Sequence, residues 1–193
     1  MRPVLYFIRH GETDWNFDGR LQGQSDTSLN AVGREQAAGV GDRLRDAGLR
    51  PEALPWLVSP LERATCTAEL ARKRLGLDPL DYGRDDRLKE LSFGLWEGFT
   101  WRELRQREPA AFAQRAACKW LFQPPGGESY AMATERVTAW LASLHRASIV
   151  VSHGGIARVL MVLLGGATRE KAVDADIWQG RLLVFEGGGS GWI

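Results

Sequence analysis

Short apolar runs recur along this chain, each stopping abruptly at polar or glycine residues, with segments of helical period between them. The run at 4–8 (Val4, Leu5, Tyr6, Phe7, Ile8) reads as a buried strand of β-branched and aromatic residues. Residues 56–59, 148–152 and 181–186 read the same way, and 80–82 as a further strand. Between them, Asn30 is placed to cap a helix over 31–47 that Gly48 ends, with Ala37, Val40 and Leu44 on one face. Further helices are predicted from Pro60, in its first turn, to about 75, over 101–107, over 109–119 and from Ser129 to about 145. A last helix runs from His153 to 164. Residues 11–29 read as a polar loop and 187–191 as a flexible glycine tail. Strands alternating with helices imply an α/β fold, a three-layer α/β/α arrangement around a mostly parallel sheet. Residues 85–125 have no clean period and are expected to form a small helical cap, inserted into a single domain spanning 1–193.

Composition narrows the function. The 193 residues are 44% apolar, enough for a sizeable core, and 25 basic against 24 acidic residues leave a net charge of +1. That balance argues against a nucleic-acid or membrane-surface partner, while leaving room for a local positive pocket. The longest apolar stretch, 156–164, is interrupted by Arg158 and too short to span a bilayer, and the N-terminus has no secretory h-region. Cys66 and Cys118 lack metal-ligand spacing, and the three histidines are His10, His145 and His153. We therefore expect reduced cysteines, a cytoplasmic location, no metal and no cofactor.

The chemistry concentrates at strand ends. Arg9, His10 and Gly11 follow the first strand; Ser59 and Pro60 follow the second, with Arg63 a turn later; Ser152, His153, Gly154 and Gly155 follow another. If these strands are parallel neighbours, all three junctions open on one edge of the sheet, where α/β folds bind ligands. Two arginines and two imidazoles gathered there would repel one another unless an anion lay between them. Phosphate suits guanidinium forks and helix N-termini. Asn16 and Gln22 are placed to donate to it, and Gly11, Gly154 and Gly155 to let backbone approach it. Ser59 and Ser152 read as strand-end residues, since neither lies in a nucleophile elbow.

These motifs, in this order, resemble the histidine phosphatase superfamily, also called the phosphoglycerate mutase-like family. The likeness covers Arg9 to Gly155: Arg9-His10-Gly11-Glu12-Thr13 with Asn16, Leu21-Gln22-Gly23, Ser59-Pro60-Leu61 with Arg63 and Thr67, Leu88 with Glu90, Phe93-Gly94 with Trp96-Glu97-Gly98, Gly126-Gly127-Glu128-Ser129, and Ser152-His153-Gly154-Gly155. The resemblance implies that His10 is the nucleophile that becomes phosphohistidine. Arg9, Arg63 and His153 would hold the phosphoryl oxygens, with Asn16, Gln22, Gly23 and Gly154 also lining the phosphate site. Glu90 would be the proton donor and then the base, with Glu12 and Glu97 as competitors for that role. Flanking positive charge is expected to lower the His10 pKa. No metal is required, because the protein supplies the positive charge.

The implied activity is phosphomonoester hydrolysis on a small molecule, with cofactor-dependent phosphoglycerate mutase as the alternative and an idle phosphate-binding module as a third reading. Thirty-five residues separate Glu90 from Gly126, which is short for an enclosing mutase cap. Aromatic residues from Phe93 to Tyr130 are expected mainly to pack the cap, and the basic excess there (Arg102, Arg105, Arg107, Arg115 and Lys119 against Glu103 and Glu108) reads either as an attraction for a second anionic group or as an ordinary basic helix face.

Overall fold

The computed structural model describes residues 3–193. Among them, six strands form one sheet: β1 (Leu5–Arg9), β2 (Trp56–Val58), β3 (Gly83–Arg84), β4 (Ser148–Ser152), β5 (Leu182–Glu186) and β6 (Gly189–Trp192), in the order β3-β2-β4-β1-β5-β6. The first four are parallel, and β5 and β6 close one side antiparallel. The helices of the described residues are α1 (Asp14–Phe17), α2 (Ala31–Asp46), α3 (Glu62–Arg74), α4 (Trp101–Arg107), α5 (Pro109–Ala117), α6 (Tyr130–Leu141), α7 (Gly154–Leu163) and α8 (Arg169–Val173).

Alternation along the strands divides the core in two. Ile8, Val58, Ile149, Val151 and Leu182 face α2 and α3, where they meet Val40, Leu44, Ala64, Ala68 and Ala71. Their neighbours Leu5, Phe7, Val150, Leu183 and Phe185 point to the other side, against Val137 and Trp140 of α6 and Ile156, Val159 and Leu160 of α7. The sheet is thus buried on both faces, as parallel strands require, and each fully buried aliphatic or aromatic side chain contributes about 1.5–3 kcal/mol. A third, smaller cluster lies within residues 85–125 and the nearby loop: Trp96, Leu104 and Leu21, with Phe93, Phe99, Trp101, Phe112 and Phe122 packed around them.

Several expectations are corrected. The strand expected at 80–82 forms instead at Gly83–Arg84, both exposed, where the chain runs alongside β2 at the sheet edge. The supposed flexible tail is a strand: Gly187 and Gly188, at φ 59° and 85°, turn the chain so that β6 pairs with β5. Pro60 lies ahead of α3, whose N-cap is Leu61. The helix expected to reach 145 stops at Leu141, and the one expected to reach 119 stops at Ala117. Short helix α1 interrupts the stretch read as loop, and α8 forms between 164 and 181, where the sequence predicts no element. Ser129 and Asn30 do cap α6 and α2, accepting from Met132 and Gly33 N–H groups. Among the described residues no helix is long and apolar enough to cross a membrane, and both cysteines are free.

Candidate active site

The ladder itself brings the site together. Arg9 pairs with Ser152 and Val58 with Val151, so β1, β4 and β2 end at one level. The hydrogen bonding runs one residue further at each junction: His10 N–H donates to Ser152 O and Ser59 N–H to Val151 O, both at 2.9 Å. His10, Ser59 and His153 therefore leave the sheet side by side, and the two imidazole centroids are 5.1 Å apart.

A cavity of roughly 410 Å³ opens over this edge. Arg9, His10, Asn16, Gln22, Gly23, Arg63, Glu90 and Gly154 all line it. His153 does not: it is fully buried behind His10. Phe93, Trp101 and Phe112 from the 85–125 segment and Tyr130 from α6 form further wall, together with Arg20, Arg115, Lys119, Arg158 and Asp174.

His10 is 2% exposed and its Nδ1 donates to Gly11 O at 2.8 Å. A carbonyl can only accept, so the ring proton sits on Nδ1 and Nε2 keeps its lone pair. Burial is the main reason the His10 pKa lies well below 6.5, with Arg63 and then Arg9 adding to it; flanking charge, the expected cause, comes second. His153 is held well below 6.5 for the same reasons, burial first, then Arg63.

This sets a pH dependence. An unfolded histidine takes a proton near pH 6.5, but these two stay neutral to a much lower pH, so below 6.5 the unfolded chain binds more protons. Stability is therefore expected to fall as pH drops from 7 to 5. Urea titrations should show this loss, and should show less of it in His153→Asn.

Arg9 donates from Nη1 to Ile177 O at 2.7 Å; burial brings its pKa to about 10, still cationic at neutral pH, with Glu90 opposing that shift. Arg63, expected to hold phosphoryl oxygens, is 0% exposed. It donates from Nη2 to Gly23 O at 2.6 Å and from Nη1 to Ser25 O at 2.9 Å, so it also pins the loop behind α1. Among the described residues, three buried side-chain nitrogens have no partner: Arg9 Nε, Arg63 Nε and His153 Nδ1. Buried polar groups are rarely left so. All three belong to the side chains expected to hold phosphate.

Asn16 and Gln22 are oriented by their own carbonyls. Asn16 Oδ1 accepts from Gln179 Nε2 and Thr13 N–H, and Gln22 Oε1 accepts from the Thr27 hydroxyl at 2.5 Å. Their amide N–H₂ groups are left to give elsewhere.

The three candidate carboxylates separate cleanly. Glu97 accepts from Gln24, Ser25 and Phe93 N–H and from the Ser25 hydroxyl, clamping loop 22–25 to the 92–97 segment. Glu12 accepts from Asn30 Nδ2 beside α2. Glu90 alone of the three lines the cavity, held by Gly155 and Leu91 N–H at 3.0–3.1 Å. The segment carrying it is anchored by Ser152 Oγ, which donates to Leu88 O, and by Arg136, which donates to Arg87 O while paired with Glu128.

Two glycines serve packing more directly than ligand approach. A Cβ on Gly155 would lie 2.4 Å from Glu90 Oε1, and one on Gly11 2.2 Å from Gly33 O in α2. Sequence reasoning missed Arg20, Arg158 and Asp174 as wall residues, and the Ser59 hydroxyl, which lies 2.7 Å from His153 Nε2. Only Arg158 left a signal: a cation inside an apolar run, one turn into a helix that opens at the site.

The sequence pattern of the histidine phosphatase superfamily (branch 1) matches residues 5–193. The metal-independent phosphoserine phosphatase of Arabidopsis thaliana is 34% identical over 180 residues, 90% of this chain and 74% of that protein. The Salmonella paratyphi B protein named "Probable phosphoglycerate mutase GpmB" is 38% identical over 155 residues, 78% of this chain and 69% of its own. The crystal structure of TTHB049 from Thermus thermophilus superposes with a TM-score of 0.74 at 33% identity, covering 95% of this chain and 94% of that one. The whole-length match and the convergence of its motif residues on one sheet edge lead to one conclusion: the chain belongs to branch 1 of the histidine phosphatase superfamily.

Proposed function

We propose that the protein hydrolyses small phosphomonoesters through a phosphohistidine on His10. The observation that carries this is the trio of unpartnered nitrogens on Arg9, Arg63 and His153 around an imidazole whose Nε2 lone pair is free. An in-line attack by Nε2 on phosphorus forms the N–P bond as the ester P–O bond breaks. Glu90, protonated, gives its proton to the leaving oxygen. As a carboxylate it then takes a proton from water, whose oxygen displaces His10 from phosphorus and releases inorganic phosphate. Arg9, Arg63 and the His153 N–H stabilise charge on the three equatorial oxygens throughout.

The cavity also supports a substrate with a second acidic group. Arg20, Arg115, Lys119 and Arg158 outnumber Asp174 on its outer wall. Arg115 stacks on Trp101 at 3.9 Å and pairs with no carboxylate among the described residues. A cytoplasmic location, suggested by two free cysteines, belongs to the same reading.

Mutase activity is the second reading, favoured by the relative that carries that name. A panel of phosphomonoesters assayed with a chelator present, beside 3-phosphoglycerate with its bisphosphate primer, separates the two. Release of inorganic phosphate that resists the chelator is expected. Interconversion of 3- and 2-phosphoglycerate far faster than release would establish the mutase instead, and neither activity would leave a phosphate-binding module. Glu90→Gln is expected to slow turnover of poor leaving groups by about 10²-fold or more while sparing phosphate binding. Unchanged turnover on such a substrate would remove Glu90 from its role.

A further inference from the structure

Ser59 is fully buried at the end of β2, away from the cavity wall, yet its hydroxyl is 2.7 Å from His153 Nε2. The same oxygen accepts from Leu61 N–H at 3.4 Å. A hydroxyl that accepts there has its own proton to give, and Nε2 is the acceptor in reach. Donation to Nε2 puts the ring proton on Nδ1, the buried nitrogen with no partner among the described residues. The opposite tautomer would leave a bare lone pair on that buried nitrogen with no donor to meet it.

We propose that Ser59 fixes His153 in the Nδ1–H tautomer, so that His153 acts as a hydrogen-bond donor to the phosphoryl group while Ser59 is its positioning residue. The two imidazoles then carry their protons on the same atom but use opposite ends. The Nδ1–H of His10 is tied to Gly11 O and its Nε2 offers a lone pair; the Nε2 of His153 is tied to Ser59 and its Nδ1 offers a proton. The positive charge of the cage then comes from Arg9 and Arg63. His153 supplies direction and no charge, so it leaves the nucleophile unopposed by a neighbouring imidazolium. The donor's purpose rests on the phosphatase reading; the tautomer does not.

Nitrogen NMR on protein labelled with ¹⁵N-histidine tests both parts at pH 7, with only three imidazoles to assign. His153 is expected to show a protonated Nδ1 and a pyridine-type Nε2. A protonated Nε2, or an imidazolium, would overturn the proposal even if Ser59→Ala failed to fold. Adding inorganic phosphate should move the Nδ1 proton downfield; no movement in a protein that binds phosphate would overturn the donor role. In Ser59→Ala the ring proton should spread over both nitrogens and kcat should fall roughly tenfold, about the worth of one hydrogen bond. A folded Ser59→Ala with the wild-type tautomer and kcat would remove Ser59 from its role. If the tautomer is as stated but no phosphomonoester is turned over, the functional reading fails and the tautomer assignment stands.

Discussion

Replacing His10 with alanine is expected to lower phosphomonoester turnover by about 10⁴-fold or more, and to abolish any phosphorylated form of the enzyme. The size of the effect follows from the geometry. The serine hydroxyls at the neighbouring strand ends do not line the cavity and are engaged elsewhere: that of Ser59 with His153, and that of Ser152 in donation to Leu88 O. His10 has its lone pair fixed toward the open side by a hydrogen bond at its far nitrogen. Burial and two arginines keep that lone pair unprotonated well below pH 6.5. The variant should still bind inorganic phosphate, since Arg9, Arg63 and His153 stay in place. Stopped turnover with retained phosphate binding, measured by calorimetry, is the combined result that separates a lost nucleophile from a collapsed site.

The second large effect is expected at Arg63. Removing one donor aimed at developing oxyanion charge typically costs about 3 kcal/mol, roughly 10²-fold in rate. Arg63→Ala should lose at least that, because Arg63 does two things at once. Its η nitrogens hold the Gly23 and Ser25 carbonyls, and the same loop carries Gln22 and the Glu97 clamp. Arg63→Lys is the informative companion. Lysine keeps the charge but cannot span two carbonyls and still present a third nitrogen. We expect it to recover little of kcat, and to lower the melting temperature as Arg63→Ala does. A lysine variant close to wild type in kcat would reduce the residue's role to charge alone.

Much of this arrangement is legible in the sequence. The apolar runs mark four strands because a sheet covered on both faces demands them, and the polar residues just beyond those runs mark the edge where ligands bind. What cannot be read is what the neighbouring chain decides. Gly83 and Arg84 form a strand only because β2 offers an open edge beside them. The β6 strand, Gly189–Trp192, is half glycine and has no side-chain alternation; its partner β5 defines it. In the site, the motif order points His10, Arg9, Arg63 and Glu90 to one cavity, yet local sequence gives Glu97 an equal claim. Only the folded chain shows that its carboxylate is spent on backbone N–H groups. Ser59 reads as an ordinary strand end because its importance lies in a contact 94 residues away along the chain. The aromatic residues overlap in role: Phe93, Trp101 and Phe112 pack the small third cluster with Trp96, Phe99 and Phe122, and also line the cavity, as Tyr130 does.

The most direct measurement is to quench the enzyme within its first turnover of a phosphomonoester and map the covalent phosphate by mass spectrometry under neutral conditions. The expected result is one acid-labile phosphate per chain, on His10. A phosphate on any other side chain, or rapid hydrolysis with none trapped on His10, would contradict the account.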